Sequence, residues 1–258
     1  MTRREVLRHP DAQALALSAA GVLATRIIER QADAGVARIV LTGGGIGTAV
    51  LAALALAPAR DAVDWSRVDF WWGDERYLPS GDPDRNETSA RAALLDHVTI
   101  DPARVHAIEG PDRSVSAEAA ADRYAEHLLA HARPEDHGGT PRFDVVLLGI
   151  GPDGHVASLF PEHPALRVTE RPTAAVHGSP KPPPTRVTLT FAALNAASEV
   201  WLLASGAEKS TAVRLALDPS AGALQIPAAG ALGRDRTLFF VDEAAASRLP
   251  HDLGRPIA

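Results

Sequence analysis

The segment Gly149-Ile150-Gly151-Pro152-Asp153-Gly154-His155 places an imidazole close after a carboxylate in a glycine-rich stretch. Histidine is the side chain whose charge changes near neutral pH, and a neighbouring carboxylate orients the ring and stabilises its cation. The pair is therefore suited to moving a proton, with His155 as the base and Asp153 as its partner. Two further segments have chemical potential. Gly43-Gly44-Gly45-Ile46-Gly47 offers a backbone that a ligand can approach closely, and a helix following it would aim free N–H groups at an anion. Asp74-Glu75-Arg76 sets two carboxylates beside a guanidinium, directly after the aromatic run Phe70-Trp71-Trp72.

Each of these segments follows a short apolar run that reads as a buried strand: Arg38–Thr42, Val68–Trp72 and Phe143–Leu148. Further strands are predicted at Arg104–Ile108, Ala174–His177, Arg186–Thr190, Glu199–Ala204 and Arg236–Val241. Helical spacing marks Asp11–Arg30, Thr48–Ala57, Thr88–Leu95, Ser116–His131 and Ala207–Leu217, and Pro134–Pro141 reads as a surface loop. Strands alternating with helices predict an α/β fold: a single domain over residues 1–258 with a mostly parallel, Rossmann-like sheet and helices on both faces. In such sheets ligands bind beyond the carboxyl ends of the strands, where the three segments fall.

Composition narrows the chemistry. A chain of 258 residues with 46% hydrophobic and 22% charged residues can build a substantial core, and its formal net charge of −6 disfavours a broad nucleic-acid surface. With no cysteine, disulfides, thiolate metal sites and cysteine nucleophiles are excluded. Asp11–Arg30 carries charges and reads as an amphipathic helix rather than a signal peptide or membrane span, so a cytoplasmic location is expected.

Several motifs fail on inspection. GGGIG lacks the Gly-Lys-Ser/Thr of a P-loop, and Thr48 stands where a dinucleotide fingerprint needs a small third residue. Gly149, Gly151 and Gly154 do fit that fingerprint, but Pro152, Pro161 and Pro164 prevent the helix it requires. Asp82-x-Asp84-x-Asn86 begins like a calcium loop, yet Glu87 replaces its glycine and Ala93 its bidentate glutamate. There is no G-x-S-x-G elbow, and Glu162-His163 has no metal-motif spacing to a second histidine. His9, His97, His127, His131, His137 and His251 are expected at the surface, and His106 and His177 as structural residues. His155 is the histidine whose setting favours function.

In order along the chain stand LTGGG at 41–45, FWWGDERYLP at 70–79, FDVVLLGIGPDGHVASLFP at 143–161, PPPTRVTLT at 182–190 and SGAEK at 205–209. Together they resemble the 6-phosphogluconolactonase family over nearly the whole chain, WGDER and GxGPDGHxASLFP being the specific pieces. The resemblance implies the α/β fold shared with glucosamine-6-phosphate deaminases and ribose-5-phosphate isomerases, and hydrolysis of a sugar-phosphate lactone without an organic cofactor or metal. It implies His155 as general base with Asp153 beside it, Arg76 as a substrate contact with Asp74 and Glu75 as acidic neighbours, and Arg186 and Lys209 as phosphate-binding cations. Gly43, Gly44 and Gly45 would add backbone contacts. The family's first loop usually reads GGSTP, so Gly45, Ile46 and Gly47 remove its hydroxyls, while Arg85 replaces the usual serine before Asn86 and is a candidate extra cation. The deaminases resemble this chain at GxGxDGH but continue into Phe-Asn-Glu-Pro, where here Ser158-Leu159-Phe160-Pro161 stands. The expected partner is a small phosphorylated sugar lactone, not nucleic acid or membrane, for a monomer or small homo-oligomer.

Overall fold

The computed structural model describes residues 3–136, 139–250 and 253–256; His137, Gly138 and His251, parts of two of the expectations above, lie outside them. In chain order the main elements are β1 (Arg3–His9), α1 (Ala12–Ala34), β2 (Ala37–Leu41), α2 (Gly44–Leu56), β3 (Val68–Trp72), β4 (Asp74–Arg76), α3 (Asn86–Ala93), β5 (Val105–His106), α4 (Ala117–His131), β6 (Val145–Gly149), β7 (Thr173–Val176), β8 (Arg186–Leu189), α5 (Phe191–Leu194), β9 (Glu199–Ala204), α6 (Ser210–Leu217), α7 (Pro227–Gly230), β10 (Arg236–Asp242) and β11 (Arg255–Pro256).

The large sheet has the order β11-β1-β10-β9-β6-β2-β3-β5, and every pairing in it is parallel. The chain lays down β2, β3 and β5 outward in one direction, then returns to place β6, β9 and β10 on the other side of β2. The strand order therefore reverses between β2 and β6. A parallel sheet must be covered on both faces, and β3 and β9 are buried at every residue. Trp71, Trp72, Trp201, Phe143 and Phe239 are among the largest side chains closed off from solvent. Cutting any one of these to alanine should cost about 3–5 kcal/mol.

Helix α1 is capped by Asp11, whose carboxylate accepts from Ala14 N, and ends at Gly35 with φ of 80°. Leu15, Ala19, Leu23 and Ile27 form its buried face, so this long apolar helix is a core element. Helix α2 begins at Gly44, not at Thr48 as its alanine-rich body suggests, so the glycine cluster forms its first turn.

Two features escaped the sequence. Strand β1 joins the sheet beside β10, and it carries His9 into the interior, where the ring stacks on Phe240 and Nδ1 lies 3.2 Å from Val241 O. The surface assignment of His9 is therefore corrected. The second feature is a separate antiparallel sheet, β4-β8-β7, so Asp74–Arg76 is a strand pairing with Arg186–Thr188 rather than a loop. His177 falls beyond the end of β7 and is exposed, its Nε2 2.6 Å from Glu118 Oε1, rather than packed within a strand.

Candidate active site

At the reversal between β2 and β6 a cleft of about 580 Å³ opens beyond the strand ends, as the topology requires. Its two lips are tied where Gly149 N donates to Thr42 Oγ1 at 3.3 Å. The first lip is the start of α2. Gly43 offers no side-chain cap, and Gly44, Gly45 and Ile46 line the cleft with the first-turn N–H groups that a helix leaves unpaired.

The second lip carries the imidazole. His155 Nδ1 lies 2.5 Å from Asp153 Oδ1, and the ring sits 4.6 Å from that of Phe160. Burial alone would raise the Asp153 carboxyl, but its hydrogen bond to His155 and that ring's charge outweigh burial and bring it to about 2. An ionised Asp153 draws the ring proton to Nδ1 and leaves the lone pair on Nε2. Close approach of the two groups depends on Gly151, where a Cβ would lie 1.9 Å from His155 Nδ1 and 2.5 Å from Asp153 Oδ1. The chain then turns through Ala157, which lines the cleft with φ of 50°, a conformation few residues other than glycine adopt.

Asp74 and Arg76 reach the cleft because residues of one strand alternate sides. Asp74 is buried; its Oδ2 accepts from Ser158 Oγ at 2.6 Å and lies 3.8 Å from Arg186 Nη1. Arg76 Nη1 donates to Asp84 O at 2.5 Å and to Asn86 Oδ1 at 3.1 Å. Asn86 occupies the space that Gly43 leaves free, since a Cβ there would fall 1.8 Å from Asn86 Oδ1.

Arg186 lies under the proline turn, donating to the carbonyls of Lys181, Pro182 and Pro183, with its guanidinium 5.8 Å from the Phe160 ring centre. Lys209 stands on the segment after β9, which buried Asp242 holds by accepting from Ser205 Oγ at 2.6 Å and from Gly206 N at 3.1 Å. Burial lowers both lysines that line the cleft; Arg186 adds to the effect on Lys181, and Lys181 to that on Lys209, while Asp153 opposes it in each. Neither amine forms an ion pair among the described residues. The lining thus sets Arg76, Lys181, Arg186 and Lys209 against the carboxylates of Asp74 and Glu208, a positive cleft in a chain whose net charge is −6.

The model of the family described as glucosamine-6-phosphate isomerases/6-phosphogluconolactonase matches residues 10–240. The chain belongs to this family. It is 56% identical over 254 residues to a 6-phosphogluconolactonase of Streptomyces coelicolor, covering 98% of this chain and 97% of the relative. A 6-phosphogluconolactonase of Mycobacterium tuberculosis is 46% identical over 93% of this chain and 96% of its own length. Among solved structures, the 6-phosphogluconolactonase of Trypanosoma brucei superimposes with a TM-score of 0.83 at 28% identity, covering 97% of this chain and all of that one. A monomeric glucosamine-6-phosphate deaminase shares the fold, with a TM-score of 0.77 at 22% identity.

Within this member of the 6-phosphogluconolactonase family, the cleft gathers His155, Arg76, Asp74, Gly43, Gly44, Gly45, Arg186 and Lys209, with Asp153 directly behind His155. Glu75 is the exception. It points away from the cleft and is buried, with its carboxylate accepting from Arg76 N, Asn86 N and Glu87 N. Burial pushes it up to about 7 against the pull of Arg85 and those N–H groups. Arg85 is buried with it, 3.8 Å from Glu75 and donating to Leu78 O and Ile108 O, so it supplies no cation to the cleft. Lys181, Asn86, Thr42, Ser205 and Glu208 are polar lining residues that the sequence does not mark as ligands.

Proposed function

We propose that this chain hydrolyses 6-phospho-D-glucono-1,5-lactone to 6-phospho-D-gluconate, the lactone step of the oxidative pentose phosphate pathway, with His155 as the group that activates water. The observation that carries the assignment of the base is the 2.5 Å contact between His155 Nδ1 and Asp153 at the wall of a cationic cleft.

A lactone is a cyclic ester, so its opening needs an activated water, support for an oxyanion and a proton for the leaving oxygen. Nε2 of His155 takes a proton from water as the water oxygen bonds to C1 and the carbonyl electrons move onto oxygen. Asp153 stabilises the resulting imidazolium. Collapse of the tetrahedral intermediate breaks the bond from C1 to the ring oxygen, which receives the proton from Nε2. The product acid then ionises and releases a proton to solvent. Acid–base help of this kind contributes about 10²–10⁴-fold. Arg76 or backbone N–H groups of the cleft support the oxyanion, since fixed charges and dipoles act most strongly as negative charge develops. Arg186, Lys181, Lys209 and the first-turn N–H groups of α2 hold the phosphate, and that remote binding energy fixes C1 against the water.

The whole chain works as one domain in this reading. Location in the cytoplasm accords with α1 packing into the core and with the absence of cysteine.

Proton release from fresh 6-phosphogluconolactone, followed in a pH-stat, tests the function. Wild type should accelerate it above the spontaneous rate and His155→Ala should not. Ammonia release from glucosamine 6-phosphate with no lactone turnover would instead place the chain with the deaminases.

A further inference from the structure

Three histidines that the sequence assigns separately, His106 to a structural role and His127 and His131 to the surface, meet at one point on the molecule. His106 closes β5 at the edge of the large sheet. His127 and His131 stand one turn apart on α4 and so share a face of that helix. Their candidate ligand nitrogens all lie within 4.8 Å of one another, and none of the three lines the catalytic cleft.

We propose that His106, His127 and His131 form a binding site for a divalent transition-metal ion of the zinc class, bridging α4 to the sheet edge. Zinc bonds to imidazole at about 2.0–2.1 Å, and tetrahedral geometry then sets the nitrogens roughly 3.4 Å apart, within reach by small ring rotations. His106 Nδ1 is already 2.8 Å from His127 Nε2.

The surroundings orient the rings as metal ligands require. His106 Nε2 lies 3.5 Å from Asp69 Oδ1, so a proton on Nε2 faces a carboxylate and Nδ1 is left with its lone pair. Asp69 is in turn held by Arg104 at 2.8 Å. His131 Nδ1 lies 2.8 Å from His127 O, so that nitrogen donates to the carbonyl and Nε2 is free to ligate. Trp71 forms the floor, stacked on His106 with ring centres 3.8 Å apart. His127 and His131 are exposed, which leaves a route for the ion and a position for water as a fourth ligand. On binding, the proton on His127 Nε2 moves to Nδ1 and the ion takes its place.

Chelator-stripped protein titrated with zinc chloride alone tests the site by calorimetry and thermal melting. Wild type and His155→Ala should each take up one equivalent. At free zinc about 100 times Kd, the ratio of folded to unfolded protein should rise about 100-fold. The His127→Ala/His131→Ala double variant, and His131→Gln as a milder change at the same exposed position, should lose that uptake while keeping metal-free lactone hydrolysis. Absence of binding by wild type, equal binding by the double variant, or loss of binding in His155→Ala would each overturn the proposal.

Discussion

His155 Nδ1 and Asp153 Oδ1 stand 2.5 Å apart only because residue 151 has no side chain, since a Cβ there would intrude to 1.9 Å from that nitrogen. The contact fixes which ring nitrogen carries the proton, and therefore which one receives a proton from water. His155→Ala should lower kcat by about 10²–10⁴-fold and leave KM close to its original value. Gly151→Ala should also reduce kcat, because the added methyl group has to push the ring or the carboxylate aside. Steady-state kinetics on both variants, with the melting temperature as a check on folding, would decide it. Normal turnover by His155→Ala removes the base.

The two members of the pair have separable roles. Asp153, held at about 2 despite its burial, stays ionised throughout the range in which activity is measured, so it contributes no limb to the pH profile. Asp153→Asn removes the carboxylate that holds the ring proton on Nδ1, so kcat should fall by more than about tenfold while KM stays close to the wild-type value. Wild-type kcat in that variant would show that the carboxylate does not act on the ring.

The cations should divide by role. Lys181 and Lys209 form no ion pairs among the described residues, so Lys181→Ala and Lys209→Ala should each raise KM about tenfold, the loss of roughly one charged hydrogen bond to phosphate, with little change in melting temperature. Arg186 also holds three carbonyls of the proline turn, so Arg186→Ala should raise KM and lower the melting temperature together. Competition by inorganic phosphate offers an independent reading, since it should weaken in all three variants.

Much of this site was legible before the fold. Gly149–His155 follows the clearest apolar run in the chain, and a histidine beside a carboxylate at a strand end has few structural uses. Lys181 was not legible. A lysine with one proline before it and three after it looks like a solvated turn residue, and only the pairing of β7 with β8 carries that turn over a cleft built by distant strands. Glu75 was misread for a simpler reason. Once Asp74–Arg76 is seen as a strand, alternation sends its middle residue to the opposite side from its neighbours. The antiparallel partner that makes it a strand lies more than a hundred residues away, at Arg186–Thr188, beyond the reach of local pattern. Strand β1 was missed because charged residues outnumber apolar ones in Arg3–His9, and their ends find partners that local pattern does not show, such as the carbonyls of Leu253 and Pro250 around Arg8.

The burial of Glu75 with Arg85 leads to the last prediction. Glu75 accepts from the N–H groups of Asn86 and Glu87 at 2.7 and 2.9 Å, and so anchors the start of α3, which in turn supplies Asn86 to Arg76. Glu75→Ala leaves the N–H groups of Asn86 and Glu87 without their acceptor, while Arg85 keeps Glu87 at 3.2 Å, so the loss should be about 1–3 kcal/mol for each unpaired group. Glu75→Gln keeps an acceptor for the N–H groups and removes only the charge, so it should be milder. Its effect should also depend on pH: with the folded carboxyl at about 7, the native side chain is largely protonated below that pH and resembles glutamine most closely there. Because the folded carboxyl lies above its ordinary value of 4.5, the folded state holds a proton that the unfolded chain releases, so wild type should lose stability relative to Glu75→Gln as pH rises from about 4.5 to about 7, and the gap should level off above 7. Urea unfolding of the three proteins across that range measures it, and a gap independent of pH would mean that the carboxylate is ionised throughout.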